Sequence, residues 1–142
     1  MRTVRQLLES KAPGVYAIGP DAPVIEAIRL MAEKRIGALL VMEAGAMAGI
    51  VSERDYARKV VLQGRSSRET PVRDIMTADV VSVRLDDTAQ RCMSLVTDRR
   101  IRHLPVLEGG HVVGVVSIGD LVKAVIEDQQ HELDQLQRYI AS

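Results

Sequence analysis

Short aliphatic runs alternate along the chain with stretches in which apolar residues recur every three or four positions. The alternation happens twice. Val15-Tyr16-Ala17-Ile18 and Val80-Val81-Ser82-Val83 are brief apolar runs, which predicts short strands. Val24, Ala27, Ile28 and Met31 then fall at i, i+3, i+4 and i+7, and Ala89, Cys92, Met93 and Val96 repeat the spacing. Each set predicts one apolar stripe on an amphipathic helix. Ala38 to Met42 and Met47 to Val51 flank a turn with Gly45, and His103 to Leu107 and Val112 to Val116 flank Gly109-Gly110, so both pairs predict hairpins. A second helix is expected from Ser52 and from Ser117. The predicted order is β-α-β-β-α, twice, which places the chain in the α/β (α+β) class.

The two halves match residue by residue. Asp21 to Val61 aligns with Asp86 to Ile126 at a constant offset of 65 positions, without a gap. Identical pairs include Arg35 and Arg100, Leu39 and Leu104, Gly49 and Gly114, Ser52 and Ser117, and Asp55 and Asp120. An internal repeat of this kind governs the whole fold. Just upstream, Val4-Arg5-Gln6-Leu7-Leu8 matches Val72-Arg73-Asp74-Ile75-Met76 at an offset of 68, so the first copy carries extra residues near Ser10 to Gly14. The polar, breaker-rich stretch from Gln63 to Pro71 reads as a linker. The expected organisation is a first repeat at 1–62, a linker at 63–71, a second repeat at 72–127 and a helical extension at 128–142. Neither copy is large enough to bury much surface alone, so the two are expected to pack sheet against sheet.

Composition narrows the functional classes. Hydrophobic residues are 46% of the 142, enough for a core, and charged residues are 27%. Acidic and basic residues balance at 19 each, so net charge draws the chain to neither nucleic acid nor an anionic membrane. Phe and Trp are missing and Tyr16, Tyr56 and Tyr139 are the only aromatics, too few for a base-stacking platform. The start of the chain leads into no long apolar run and no stretch approaches the roughly 18 apolar residues of a membrane span, so neither a secretory signal nor a membrane is expected. The single cysteine, Cys92, forms no internal disulfide and suits a reducing, cytoplasmic setting.

The chemistry concentrates in Gly49-Ile50-Val51-Ser52-Glu53-Arg54-Asp55 and Gly114-Val115-Val116-Ser117-Ile118-Gly119-Asp120. In both, a strand delivers the chain to a helix start, where the first N–H groups lack partners and the dipole is positive, an anion-friendly place. The serine offers a hydroxyl, and the aspartate one turn in can accept two hydrogen bonds from a ribose diol. The structural alternative is a capping box, in which serine and a later acid merely start a helix. One such motif favours the cap; two in register after matching hairpins favour a ligand.

These segments resemble the CBS domain, the regulatory repeat named after cystathionine β-synthase, whose tandem pair is called a Bateman module. Arg100-Ile101-Arg102-His103-Leu104-Pro105-Val106, Asp74-Ile75-Met76-Thr77 and Ser52-Glu53-Arg54-Asp55-Tyr56 carry the likeness, together with the second serine motif. It covers about residues 1 to 127. The resemblance implies a stand-alone signal-transduction sensor, with two repeats packed about a pseudo-twofold axis and two clefts for adenosine compounds such as AMP, ADP, ATP or NAD. It also implies a homodimer. Carried over by position, Asp55 and Asp120 would hold ribose hydroxyls, and Ser52, Arg54, Ser117 and Gly119 would line sugar and phosphate. Val15, Tyr16, Val80 and Val81 would frame adenine with Thr77 nearby. Gly37, Ala38, Arg102 and His103 occupy the matching strand position, the last two able to meet phosphate. Because Gly37-Ala38 replaces Arg102-His103, the two sites are expected to differ.

Other candidates are weaker. His103, His111 and His131 do not share metal-ligand spacing with Cys92, which lies on an apolar stripe and is expected to be buried and inert. Arg99-Arg100-Ile101-Arg102 is partly matched by Lys34-Arg35, which favours a structural or nucleotide role over a nucleic-acid patch. Leu133, Leu136 and Ile140 continue the last helix, either packed on their own domain or in a dimer contact. Three functions remain open: an adenosine-ligand sensor acting on an unidentified regulated protein; an interaction or dimerisation protein with vestigial clefts; and an enzyme, disfavoured because no base, nucleophile and metal set is evident.

Overall fold

The computed structural model describes residues 2–12 and 14–141. The element order is α1 (Val4–Glu9), β1 (Ala17–Ile18), α2 (Val24–Lys34), β2 (Ala38–Glu43), β3 (Ala46–Ser52), α3 (Glu53–Tyr56), β4 (Val83–Arg84), α4 (Ala89–Arg99), β5 (His103–Glu108), β6 (His111–Ser117) and α5 (Ile118–Ala141). A π-helical turn, Ala57–Val61, follows α3, and a 3-10 turn, Val72–Asp74, precedes β4. Two three-stranded sheets form, β1-β2-β3 and β4-β5-β6, each with one parallel and one antiparallel pair. This is the mixed α+β fold expected from the repeat.

The copies agree in fine detail. Each hairpin carries a register shift at the same place, between Val41 and Met42 and between Val106 and Leu107. Both two-residue turns hold positive φ at both positions: Ala44 and Gly45 at 53° and 80°, Gly109 and Gly110 at 58° and 81°. That backbone matches the twist of the flanking strands, and Ala44 adopts it where the second copy uses glycine. The edge strands are shorter than expected. Of Val15 to Ile18 only Ala17–Ile18 pairs as strand, although the Tyr16 carbonyl accepts from the Leu40 N–H at 3.1 Å. The expected strand at Val80 to Val83 shifts to Val83–Arg84, leaving Val80 and Val81 outside. Each edge strand pairs with two residues in the middle of its neighbour, Leu40 and Val41 of β2 or Val106 and Leu107 of β5.

Spatial grouping differs from linear order. One compact unit is Gly14–Val81 and the other is Met1–Pro13 with Ser82–Ser142. Each repeat therefore folds with the lead-in segment that precedes the other repeat. In the first unit Val24, Ala27, Met31, Leu39, Val41, Val51 and Val60 form one core with Val72 and Ile75. In the second, Val4 and Leu7 of α1 are buried, as are Cys92, Val96, Leu104, Val106, Val116 and Leu121. The backbone ties α1 in: the Val4 N–H donates to the Asp87 carbonyl at 2.8 Å and Ala89 N–H to the Arg2 carbonyl at 2.9 Å.

The motif glycines explain why the lead-ins fit. A Cβ on Gly49 would stand 2.6 Å from the Thr77 carbonyl oxygen and 3.0 Å from the Met76 sulfur. A Cβ on Gly114 would stand 2.8 Å from both methyl carbons of Leu8. Leu8 and Met76 are equivalent residues of the two lead-ins, so glycine in each strand leaves room for the same kind of side chain.

Candidate functional site

Ser52 and Ser117 sit where β3 and β6 end and α3 and α5 begin. The first-turn geometry is the same in both units. Glu53 N–H donates to the Gly37 carbonyl at 3.1 Å, and Ile118 N–H to the Arg102 carbonyl at 2.8 Å. Asp55 N–H donates to Ser52 Oγ and Asp120 N–H to Ser117 Oγ, each at 3.2 Å. In return, Asp55 Oδ2 accepts from Ser52 N–H at 2.9 Å and Asp120 Oδ2 from Ser117 N–H at 2.8 Å.

This geometry corrects the expectation of open helix ends. Both motifs are closed as capping boxes, so the first and third donors of each turn are taken. Among the described residues, the N–H groups of Arg54 and Gly119 are the first-turn donors left over. The carboxylates are likewise partly occupied, because Oδ2 of each belongs to its cap.

The remaining occupancy distinguishes the two sites. Lys59 Nζ lies 3.3 Å from Asp55 Oδ1 and donates to the Ile75 carbonyl at 2.9 Å. The π turn places it there. In α5 the inward residues are Leu121 and Ala124, equivalent to Tyr56 and Lys59, yet in the first unit the inward residue is Val60. Leu62 N–H bonds back five residues to the Ala57 carbonyl at 3.0 Å. The wider turn advances the buried position by one, which leaves Lys59 at the rim facing Asp55.

In the second unit the cation arrives from α1's far end. Lys11 Nζ donates to Asp120 Oδ2 at 2.7 Å and to the Val115 carbonyl at 2.8 Å. Asp120 Oδ1 has no partner among the described residues. Burial pushes the Asp120 carboxyl up, but the Lys11 ammonium and the Ser117 N–H together outweigh it, so it sits below the usual carboxylate range. His103, partly buried at the start of β5 opposite Ser117, is held below its usual value by burial first, then by Lys11. Asp120 opposes that shift and Arg102 adds to it. Lys11, Arg102, His103 and Asp120 therefore form one electrostatic cluster.

The other expected residues divide between the units. Val15, Tyr16, Gly37, Ala38, Ser52, Arg54, Asp55, Thr77, Val80 and Val81 belong to the first, and Arg102, His103, Ser117, Gly119 and Asp120 to the second. Thr77 bridges Ile50 on β3: its N–H donates to the Ile50 carbonyl at 2.8 Å, and Ile50 N–H returns to the Thr77 carbonyl at 3.0 Å. Tyr16 is exposed with Lys34 Nζ 5.4 Å from its ring centre. Gly119 has room for a side chain, since a Cβ there would meet only Ser117 Oγ at 3.6 Å. Its glycine is not required by the fold and keeps the approach to Ser117 uncovered, where the first unit has Arg54. Lys11 and Lys59 were not among the expected residues. Lys59 had a local signal, four positions after Asp55; Lys11, over 100 positions from Asp120, had none.

Cys92 is buried and its thiol is pushed up to about 11, by burial first and then by Asp87, so it stays protonated. Among the described residues no three His, Cys, Asp or Glu side chains converge as a metal ion would require, and no helix is long and apolar enough to cross a membrane.

Two α+β units, each with a sheet, a motif glycine and a serine-aspartate cap, define a paired-repeat module. The chain belongs to the CBS-domain family: the CBS domain model matches residues 4–62 and 72–127, which makes it a CBS pair, a regulatory module. It is 45% identical over 125 residues to the CBS domain-containing protein CBSX3, mitochondrial, of Arabidopsis thaliana, a match covering 84% of this chain and 61% of that protein's length. A solved protein with CBS domains from Burkholderia ambifaria superposes with a TM-score of 0.88 at 54% identity, covering 90% of this chain and 96% of that one. The CBS domain pair of MJ0100, solved with 5′-methylthioadenosine and S-adenosyl-L-methionine, shares the fold with a TM-score of 0.79 at 23% identity, covering 90% of this chain and 98% of that one.

Proposed function

We propose that this protein is a non-catalytic sensor that takes up an adenosine-containing ligand and shifts its conformation, or its affinity for a regulated protein, in response. AMP, ADP and ATP are the first candidates and NAD the next. One observation carries the reading: a half-buried aspartate, held by its own cap, stands beside a serine hydroxyl and one spare N–H at the same turn of both units. A carboxylate fixed in advance loses little freedom when it accepts a sugar hydroxyl. The second unit adds two cations, Lys11 and Arg102, and the imidazole of His103, which favours phosphate-bearing ligands there. The first lacks an equivalent of Arg102 and His103, so adenosine compounds with less charge suit it better. Ligand action follows from differential binding to two arrangements of the chain. A reducing, cytoplasmic setting suits the single buried thiol.

The competing reading is an interaction protein whose sites are vestigial. It is favoured by the same caps and lysines, which already satisfy much of both carboxylates without a ligand. Isothermal titration of the full chain with AMP, ADP, ATP, NAD and S-adenosylmethionine separates the two. The sensor predicts saturable binding that is weakened at least tenfold in Asp55→Asn with Asp120→Asn, a change that keeps a cap acceptor. Folded wild type that binds none of the five, or binding indifferent to both substitutions, leaves the interaction reading.

A further inference from the structure

The two carboxylates are not equally spent. Asp55 uses both oxygens inside its own unit. Its Oδ2 accepts from the Ser52 N–H at 2.9 Å and from the Ser52 hydroxyl at 3.0 Å, and its Oδ1 faces the Lys59 ammonium at 3.3 Å. Asp120 gathers its partners on one oxygen: Oδ2 takes the Ser117 N–H at 2.8 Å and the Lys11 ammonium at 2.7 Å. Its Oδ1 makes no hydrogen bond or ion pair among the described residues. The Asp120 side chain is also the more open, 24% exposed against 16% for Asp55.

The lysines are held in different ways. Lys59 lies in the π turn Ala57–Val61, and its equivalent in the second unit is Ala124, buried on the regular helix α5. A π turn departs from the better α-helical bonding and often marks a functional site. Here it carries an ammonium to the carboxylate oxygen that Asp120 keeps open, with the Ile75 carbonyl as a second acceptor at 2.9 Å. Lys11 instead joins the oxygen already used by the cap. It adds positive charge at the turn without covering Oδ1.

We infer that Lys59 is an internal competitor for the Asp55 turn, so that the Asp120 turn fills with ligand first and the Asp55 turn fills only as Lys59 is displaced. The inference deepens the adenosine-sensor reading and rests on it. At Asp120 a ribose hydroxyl can donate to Oδ1 while every existing bond is kept, and Lys11 remains as a cation beside a phosphate. At Asp55 the same hydroxyl replaces a charged partner, and a charge-assisted contact is stronger than a neutral one. The Lys59 side chain is 44% exposed and can turn to water, so displacement is reversible. Two lysines at equivalent carboxylates thus act in opposite directions: Lys59 opposes binding and Lys11 supports it. Occupancy becomes graded, one ligand per chain at low concentration and two at high.

Isothermal titration of the full chain with AMP, ADP, ATP, NAD and S-adenosylmethionine tests this. Wild type is expected to show one tight equivalent per chain and a second weaker by about tenfold or more. Asp→Asn keeps an oxygen for the cap and puts an amide donor where Oδ1 stood. Asp120→Asn is therefore expected to weaken the tight equivalent about tenfold, and Asp55→Asn to leave it within about twofold. Lys59→Met is expected to tighten the second equivalent about tenfold, and Lys11→Met to weaken the first. Lys59→Gln, with its thermal melt compared with wild type, repeats the measurement if the Met variant folds poorly. Two equal equivalents in wild type, a tight equivalent lost in Asp55→Asn but kept in Asp120→Asn, a second equivalent indifferent to the loss of Lys59, or a first tightened by Lys11→Met overturns this order of filling and leaves the sensor reading standing. Folded wild type that binds none of the five overturns both.

Discussion

Asp55 and Asp120 occupy equivalent turns, close the same capping box, and are neutralised by lysines of unrelated origin. Lys59 comes from the same helical segment, four residues on, and is displaced toward Asp55 by a π turn. Lys11 comes from the lead-in segment and reaches Asp120 across the fold. The first arrangement is local and survives as long as the helix does. The second exists only when α1 is docked, so the charge state of Asp120 reports on the packing of residues more than a hundred positions away. Duplicated motifs thus preserve the backbone turn while leaving the electrostatics around it free to diverge.

The comparison is sharpest at the motif glycines. Gly49→Ala pushes a methyl against a backbone carbonyl that cannot move alone, whereas Gly114→Ala meets the end of the Leu8 side chain, which can change rotamer. Urea melts are expected to show a loss of about 2–3 kcal/mol for Gly49→Ala and roughly 1 kcal/mol or less for Gly114→Ala. Equal losses would mean that the lead-in segments are not held as the structure describes.

The caps come next in size. Asp120→Ala removes an acceptor from Ser117 N–H and leaves the Lys11 ammonium with only the Val115 carbonyl; a loss of about 1–2 kcal/mol is expected. Asp55→Ala loses the same cap, but the Lys59 side chain is 44% exposed and can turn to water, so about 1 kcal/mol is expected. Thermal denaturation of the pair decides whether Asp120 costs more.

The smallest effect is a pH dependence confined to the second unit. His103 has its folded value lowered by burial and Lys11, so the unfolded chain binds the proton more readily. Its contribution is complete above the usual value of 6.5 and is lost as pH falls through the lower folded value. The Asp120 carboxyl is also held low, so its contribution is present above 3.8 and disappears at still lower pH. His103→Ala is expected to flatten the stability profile just below pH 6.5 and leave the more acidic limb unchanged. A wild-type profile already flat in that range would contradict the buried environment of His103.

Much of this was legible beforehand. Helices α2 and α4, both hairpins and the starts of α3 and α5 follow from apolar spacing and turn residues, because those signals act within a few positions of the chain. The serine-aspartate motifs were legible as turns, but not how fully they close. Whether a carboxylate oxygen is spent on a cap depends on side-chain rotamers that the sequence does not state. The extent of the edge strands was not legible, because an apolar run does not say how many of its residues a neighbouring strand will pair.

By itself the sequence determined that the chain is built twice from one pattern, with an aliphatic core and two matched turns. Only tertiary structure decided that each lead-in segment folds with the other repeat, that Leu8 and Met76 lie over the motif glycines, and that Lys11 meets Asp120. Local periodicity is set by the geometry of three or four neighbouring residues, whereas these contacts depend on which distant surface offers space without a Cβ and a carboxylate with an oxygen to share.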